Sequence, residues 1–134
     1  PCTLAFWLHP YVTLPTCQHP SRYEPGVLPW LQSLYNNNAD LILNGTQHNY
    51  QRYGPNDPNG RLDTARGIPE FIVGTGGVGF YSFTSSTGSQ APNLLFKNAT
   101  TYGALKLTLR SNSYDFAFMS DAGVVLDKGT GNCH

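Results

Sequence analysis

The residues in this chain that could do chemistry are few, and most of their groupings fail on spacing. The three cysteines, Cys2, Cys17 and Cys133, contain no Cys-x-x-Cys pair, so a thiolate zinc site is not indicated. Their odd number leaves at least one thiol free or bonded to another chain, with the pairing open. Gly74-Thr75-Gly76-Gly77-Val78-Gly79 satisfies Gly-x-Gly-x-x-Gly, which can cradle a pyrophosphate only where a helix starts there. Here Phe80-Tyr81-Ser82-Phe83 follows instead, and no acidic residue lies about 20 positions on, so a dinucleotide site is rejected. Asp57-Pro58-Asn59-Gly60-Arg61-Leu62-Asp63 faintly resembles a calcium loop but lacks the closing Glu, and is read as a turn. No Ser-His-Asp set can be singled out. Two Asn-x-Thr sequons, at Asn44 and Asn98, are candidate glycosylation sites. Tyr50, Tyr53, Phe80, Tyr81 and Phe83 either present rings for stacking or cover a core.

Composition narrows the classes. The chain has 134 residues, 40% hydrophobic and 12% charged, with zero formal net charge. That suits one domain spanning 1–134 with its own core. A neutral chain has no field to recruit nucleic acid or an anionic membrane surface. The apolar runs fall well short of the roughly 18 to 20 residues that span a bilayer. Pro1-Cys2 leads straight into a strand with no signal pattern, as a processed chain or fragment would begin. Low Lys and Glu content, the sequons and the absence of a thiolate metal motif together favour an extracellular setting.

The elements that would position these residues follow from periodicity. Thr3–Leu8 reads as a strand stopped by Pro10. Val27, Leu28, Trp30, Leu31, Leu34 and Tyr35 recur at helical spacing, and the Asn triplet 36–38 ends that helix. Ala39–Leu43 is a second buried strand, giving a βαβ unit with a parallel pair. Gln47–Pro69 reads as a long polar loop, Glu70–Val73 as a short strand, and 82–100 as exposed loop. A meander closes the chain: 102–110, 113–119 and 124–127. Leu105, Leu107 and Leu109 alternate with Lys106, Thr108 and Arg110, so one face is buried and one wet. The fold class is α/β, a βαβ element followed by a strand-rich, mostly antiparallel sheet.

Three segments resemble the calcineurin-like metallophosphoesterase superfamily, in its secreted, purple acid phosphatase-like branch. They are Cys2–Pro10; Ala39-Asp40-Leu41-Ile42-Leu43-Asn44-Gly45-Thr46-Gln47-His48-Asn49-Tyr50-Gln51-Arg52-Tyr53; and Gly67–Gly77 with the Tyr102–Leu107 strand. The resemblance implies the carboxy-terminal half of a two-sheet sandwich whose catalytic centre holds two bridged metal ions. The ligand motifs of the amino-terminal half, Asp-x-His, Gly-Asp-x-x-Asp and Gly-Asn-His, do not occur. Relatives carry a His two residues before the proline and both His residues of Gly-His-x-His. Here those positions hold Leu8, Thr46 and His48, so His48 is the one residual metal candidate. Leucine has no lone pair, and a threonine hydroxyl is a poor transition-metal ligand beside imidazole.

His9 matches a family His that is not counted as a ligand, and His19 lies where relatives often place a substrate-facing His. Gln51 replaces a family Glu, and Arg52 is expected to keep a structural hydrogen-bonding role. The resemblance therefore implies a non-catalytic, secreted module serving in binding or assembly, with no cofactor. The alternative is the carboxy-terminal portion of a two-metal phosphoesterase, with an iron, zinc or manganese pair, whose other half is a separate chain. A half-sandwich would expose an apolar face, so a second copy or a separate amino-terminal-half chain is the expected partner.

Overall fold

The structure is a computed structural model and describes residues 1–18, 24–84 and 91–134. The described residues form two sheets and one α-helix. The larger sheet contains β1 (Leu4–Trp7), β2 (Leu41–Asn44), β3 (Tyr50–Asn56), β4 (Ile68–Val73) and β5 (Leu94–Asn98), in the order β1-β2-β4-β3-β5. The smaller is the meander β6 (Gly103–Leu109), β7 (Ser113–Ser120) and β8 (Val125–Asn132). A 3-10 turn, Pro25–Val27, leads into α1 (Leu28–Asn36), with Pro29 in the first turn where its missing N–H costs nothing. No helix among the described residues is long and apolar enough to cross a membrane.

The βαβ expectation holds: β1 and β2 pair in parallel, Leu4 opposite Leu41 and Trp7 opposite Asn44. The polar-loop expectation for 47–69 does not. Tyr50–Asn56 forms β3, antiparallel to both β4 and β5. Its polar residues are buried because they bond to one another and to a neighbouring loop. Gln51, fully buried, accepts from the Leu14 N–H (2.8 Å) and the Tyr53 hydroxyl (2.6 Å). Its amide nitrogen donates to Thr13 Oγ1 (3.0 Å) and Asn49 Oδ1 (2.9 Å). A glutamate here would have no N–H for the last two. The 82–100 stretch likewise contains β5, while 85–90 lie outside the described residues.

The core lies between the sheets. Leu41, Tyr50 and Phe71 from the larger sheet meet Tyr114, Phe116 and Phe118 from β7. Tyr50 and Phe118 stack at 4.0 Å, so Tyr50 and the buried Tyr53 are core residues rather than exposed stacking rings. On the opposite face of the large sheet, α1 packs Leu31 against Ile42 and Ile68. One polar group crosses the inter-sheet core. Asp127 on β8 accepts from Arg52 Nε (2.7 Å) and Nη2 (3.0 Å) and from the Tyr50 hydroxyl (2.9 Å). Gly129 and Gly131 complete β8 because a Cβ at either would collide with the Phe116 or Tyr114 ring.

The two chain ends meet. Cys2 and Cys133 form a disulfide across a sequence separation of 131. Beside it, buried Asp40 accepts from the Thr3 N–H and the His134 N–H, both at 2.6 Å. Cys17 is the remaining thiol, exposed and unpaired. A disulfide is compatible with an oxidising, extracellular location.

Two stability measurements follow. Asp127→Asn keeps the shape but leaves the Arg52 guanidinium uncompensated. It should cost about 3 kcal/mol in urea unfolding, the usual range for breaking such a pair; a loss under about 1 kcal/mol would mean the clamp is dispensable. Glu70 is buried on β4, and desolvation raises its carboxyl from 4.5 to about 8, against backbone N–H bonds from Tyr11 and Val12 that pull it down. The folded chain thus keeps a proton that the unfolded chain releases above about pH 4.5. Stability contributed by this group is full below that pH, falls as pH rises, and levels off above about 8. Glu70→Gln should flatten the melting temperature across this window and exceed the parent at pH 8. Parallel pH curves for the two proteins would show that Glu70 is ionised in the fold.

Candidate functional site

Parallel strands bring their carboxy-terminal ends to one side of a sheet, where α/β ligand sites form. β1 ends in Trp7-Leu8-His9 and β2 in Asn44-Gly45-Thr46-Gln47-His48, and these two ends meet. The Gly45 N–H donates to the Leu8 carbonyl (3.1 Å). The Thr46 hydroxyl donates to the same carbonyl (2.8 Å) and lies 3.4 Å from His9 Nδ1. Thr46 sits at φ +53°, a left-handed conformation that a β-branched residue rarely adopts and that costs of order 1–3 kcal/mol. Leu8, 60% exposed, projects its side chain at the rim, with Cδ1 near Gly45.

His48 does not face this pair. Its Nδ1 lies 3.0 Å from the Gly79 carbonyl, and its ring stacks on Tyr81 at 3.9 Å and 17°. The glycine-rich segment therefore has a structural use. A Cβ on Gly74 would lie 1.8 Å from the Gln47 carbonyl oxygen, so only glycine lets β4 leave so close to the 45–48 loop. The loop carries two buried acceptors, Asn44 Oδ1 and Gln47 Oε1, that have no partner among the described residues. Such oxygens forfeit about 1–3 kcal/mol each unless a donor arrives.

The donor set does not fit a metal pair. A catalytic site needs about three or four protein ligands. Leu8 has no lone pair, Thr46 gives its hydroxyl proton to a carbonyl, and of the two imidazoles nearby His9 lies beside Thr46 while His48 is held by Gly79 and Tyr81. Among the described residues no three His, Cys, Asp or Glu side chains converge. His19 lies outside the described residues. The juxtaposition of His9 with Thr46 was not legible in the sequence, because it depends on the parallel register that aligns the two strand ends. The Asp57 turn is as expected: Asp57 Oδ1 accepts from the Asn59 and Arg61 N–H groups, at 2.8 and 2.9 Å. Phe80 stacks on Tyr102 at 4.3 Å, and Phe83 packs with Val12 and Leu14 under Lys97.

The two sequons differ in access. Asn44 is 5% exposed, and its Nδ2, the atom a glycan would occupy, donates to the Trp7 carbonyl (3.0 Å). Asn98 ends β5 half-exposed, its Oδ1 capping the Thr100 and Thr101 N–H groups at 3.0 and 2.9 Å. Expressed through a glycosylating pathway, the folded chain should carry glycan at Asn98 and none at Asn44, read by peptide mapping before and after glycosidase. Occupancy at Asn44 in folded material would contradict the β1–β2 register.

No protein-family model and no curated protein matches this sequence. Solved structures do. The chain is similar to a purple acid phosphatase, PPD1, isolated from yellow lupin (Lupinus luteus) seeds, with a TM-score of 0.74 and 24% identity. The match covers 95% of this chain and 24% of that one. It is also similar to GAP50, the anchor in the inner membrane complex of Plasmodium, with a TM-score of 0.65 and 18% identity, covering 95% of this chain and 35% of that one. At these identities the likeness defines the fold: a mixed α/β, strand-rich, partial metallophosphoesterase-type sandwich. The chain spans between a quarter and about a third of the length of these neighbours.

Proposed function

We propose that this chain is a non-catalytic, metallophosphoesterase-like module of a secreted protein, acting in binding or assembly. The observation that carries the reading is the state of the β1 and β2 ends. Thr46 commits its hydroxyl to the Leu8 carbonyl, and His48 is turned onto Tyr81 and Gly79. Restoring a missing half of the fold would still leave Leu8 and Thr46 where relatives place imidazoles. Secretion is supported by the Cys2–Cys133 disulfide and by the accessible sequon at Asn98.

Assembly is supported by exposed apolar surface. A groove of about 650 Å³ runs between β1 and β6, lined by Phe6, Leu8, Leu43, Val73, Gly103 and Leu105. Phe6 is 79% exposed. Apolar surface of this kind on a soluble protein marks an interaction site. The partner is a second copy or a chain that completes the sandwich. That one neighbour of the same fold is an anchor in a complex is in keeping with this role.

Metal analysis of the purified, dialysed protein, run beside hydrolysis of p-nitrophenyl phosphate from pH 5 to 8, tests the reading. The expected result is substoichiometric iron, zinc and manganese, with turnover at background before and after metal addition. About two bound metal equivalents, with turnover abolished by His48→Ala, would establish the enzyme instead.

A further inference from the structure

Asp40 binds the backbone on both sides of the disulfide. Its Oδ2 accepts from the Thr3 N–H and its Oδ1 from the His134 N–H, each at 2.6 Å. Thr3 follows Cys2 and His134 follows Cys133, so one carboxylate grips the residue after each half-cystine. The Asp40 backbone adds a third bond, its N–H donating to the Thr3 carbonyl (2.9 Å). The His134 imidazole leans on the same oxygen as its own N–H, with Nδ1 at 3.2 Å. Asp40 is 3% exposed, buried by the described residues themselves, so its contacts do not depend on what lies outside them.

The cysteines need such a grip because the strand ladders stop short of them. Cys2 precedes β1, which starts at Leu4, and Cys133 follows β8, which ends at Asn132. β1 belongs to the larger sheet and β8 to the smaller, so the bridge joins two separate sheets. Cys133 has a backbone bond of its own, its N–H donating to the Asn112 carbonyl (2.9 Å). That bond ties Cys133 to the small sheet and does nothing to bring Cys2 near. Asp40 spans the gap: it stands at the entry to β2 in the larger sheet and reaches the residue after Cys133. Backbone N–H bonds to a carboxylate are short and about twice as strong as neutral ones, so the grip is firm.

We infer that Asp40 is the positioning residue for disulfide formation, holding Cys2 and Cys133 within reach of each other before they are joined. The oxidant is a small-molecule disulfide of the glutathione class. One protein thiolate attacks it, a mixed disulfide forms, and one glutathione thiolate leaves. The second protein thiolate then attacks the protein sulfur of that mixed disulfide and displaces the second glutathione thiolate. Two protein thiols give up two electrons and two protons, and the glutathione disulfide takes them up as two thiols. Asp40 bonds to the residues beside the cysteines and acts on the second, intramolecular step. It raises the effective concentration of one thiol at the other. The coupling is reciprocal, so the finished bridge strengthens the two hydrogen bonds in turn.

This goes beyond the proposed function, and its test is independent of metal content, turnover and partners. Folded parent and Asp40→Asn proteins are equilibrated in glutathione redox buffers, and the oxidised fraction is read by acid quenching, alkylation and mass spectrometry. Asparagine keeps one acceptor oxygen but turns an amide NH2 toward the other donor, so one side of the grip is lost. The equilibrium constant for closing the bridge should fall at least tenfold, a shift of about 30 mV. Asp115→Asn, which removes the carboxylate of an exposed ion pair with Arg110, should leave the constant unchanged. A purely structural Asp40 would support the dithiol and disulfide forms alike. Asp40→Asn would then lower the melting temperature of both with the constant unchanged, and that result overturns the inference. A second measurement needs no variant. In the parent reduced to its folded dithiol form, hydrogen exchange should find the Thr3 and His134 amides protected. Exchange at these two amides as fast as in an unstructured peptide would overturn the inference equally.

Discussion

The carboxylate of Asp127 joins the two sheets through an ion pair with Arg52, and the neighbouring aromatic rings are arranged around it. It receives the guanidinium of Arg52 by two bonds and the hydroxyl of Tyr50 by a third. Apolar packing between sheets is nearly indifferent to sliding, since one leucine contact resembles another. A bidentate ion pair is directional and has one geometry. It therefore sets how β8 lies over β3. The surrounding aromatics depend on that choice: Phe118 on Tyr50, and Phe116 under the Arg52 guanidinium at 5.0 Å. The acid also holds the Tyr50 phenol protonated, with burial the largest cause.

The parts of the fold legible in the sequence were those whose burial is one-sided or complete and written in apolar residues. β1, α1, β2, β4, β6 and β7 carry that signature, whereas the last strand, expected over 124–127, runs on through Gly129 and Gly131 to Asn132. What escaped was β3, the strand that carries Tyr50 and Arg52. Its sequence, Tyr-Gln-Arg-Tyr-Gly-Pro-Asn, reads as polar because its interior contacts are made by amides and hydroxyls. Gln51 is buried because four hydrogen bonds satisfy it, and no hydropathy pattern encodes partners that distant in the chain. β5 was hidden for a related reason, as a short edge strand whose neighbours in sequence are turn formers.

At the candidate site, the sequence singled out Leu8, Thr46 and His48 through the resemblance, and the structure gives their contacts: Thr46 bonds to the Leu8 carbonyl and His48 lies against Gly79. The left-handed backbone at Thr46 would suit glycine or asparagine better, and the hydroxyl's bond to Leu8 offsets part of that strain. The Thr46 side chain stitches two strand ends together. Nothing in the linear sequence distinguishes a threonine that stitches from one that merely replaces a histidine.

The covalent joining of Cys2 to Cys133 has a mechanical side. Cys2 and Cys133 are joined covalently, with Cα atoms 5.2 Å apart, and residues 3–132 lie within the loop they close. Tension applied to the chain on either side of these two cysteines would run directly across the sulfur–sulfur bond. The strand ladders, helix and inter-sheet core would lie off the load path, as slack in a ring pulled at its clasp. The fold between the two cysteines would then withstand such a pull for as long as the disulfide stays oxidised.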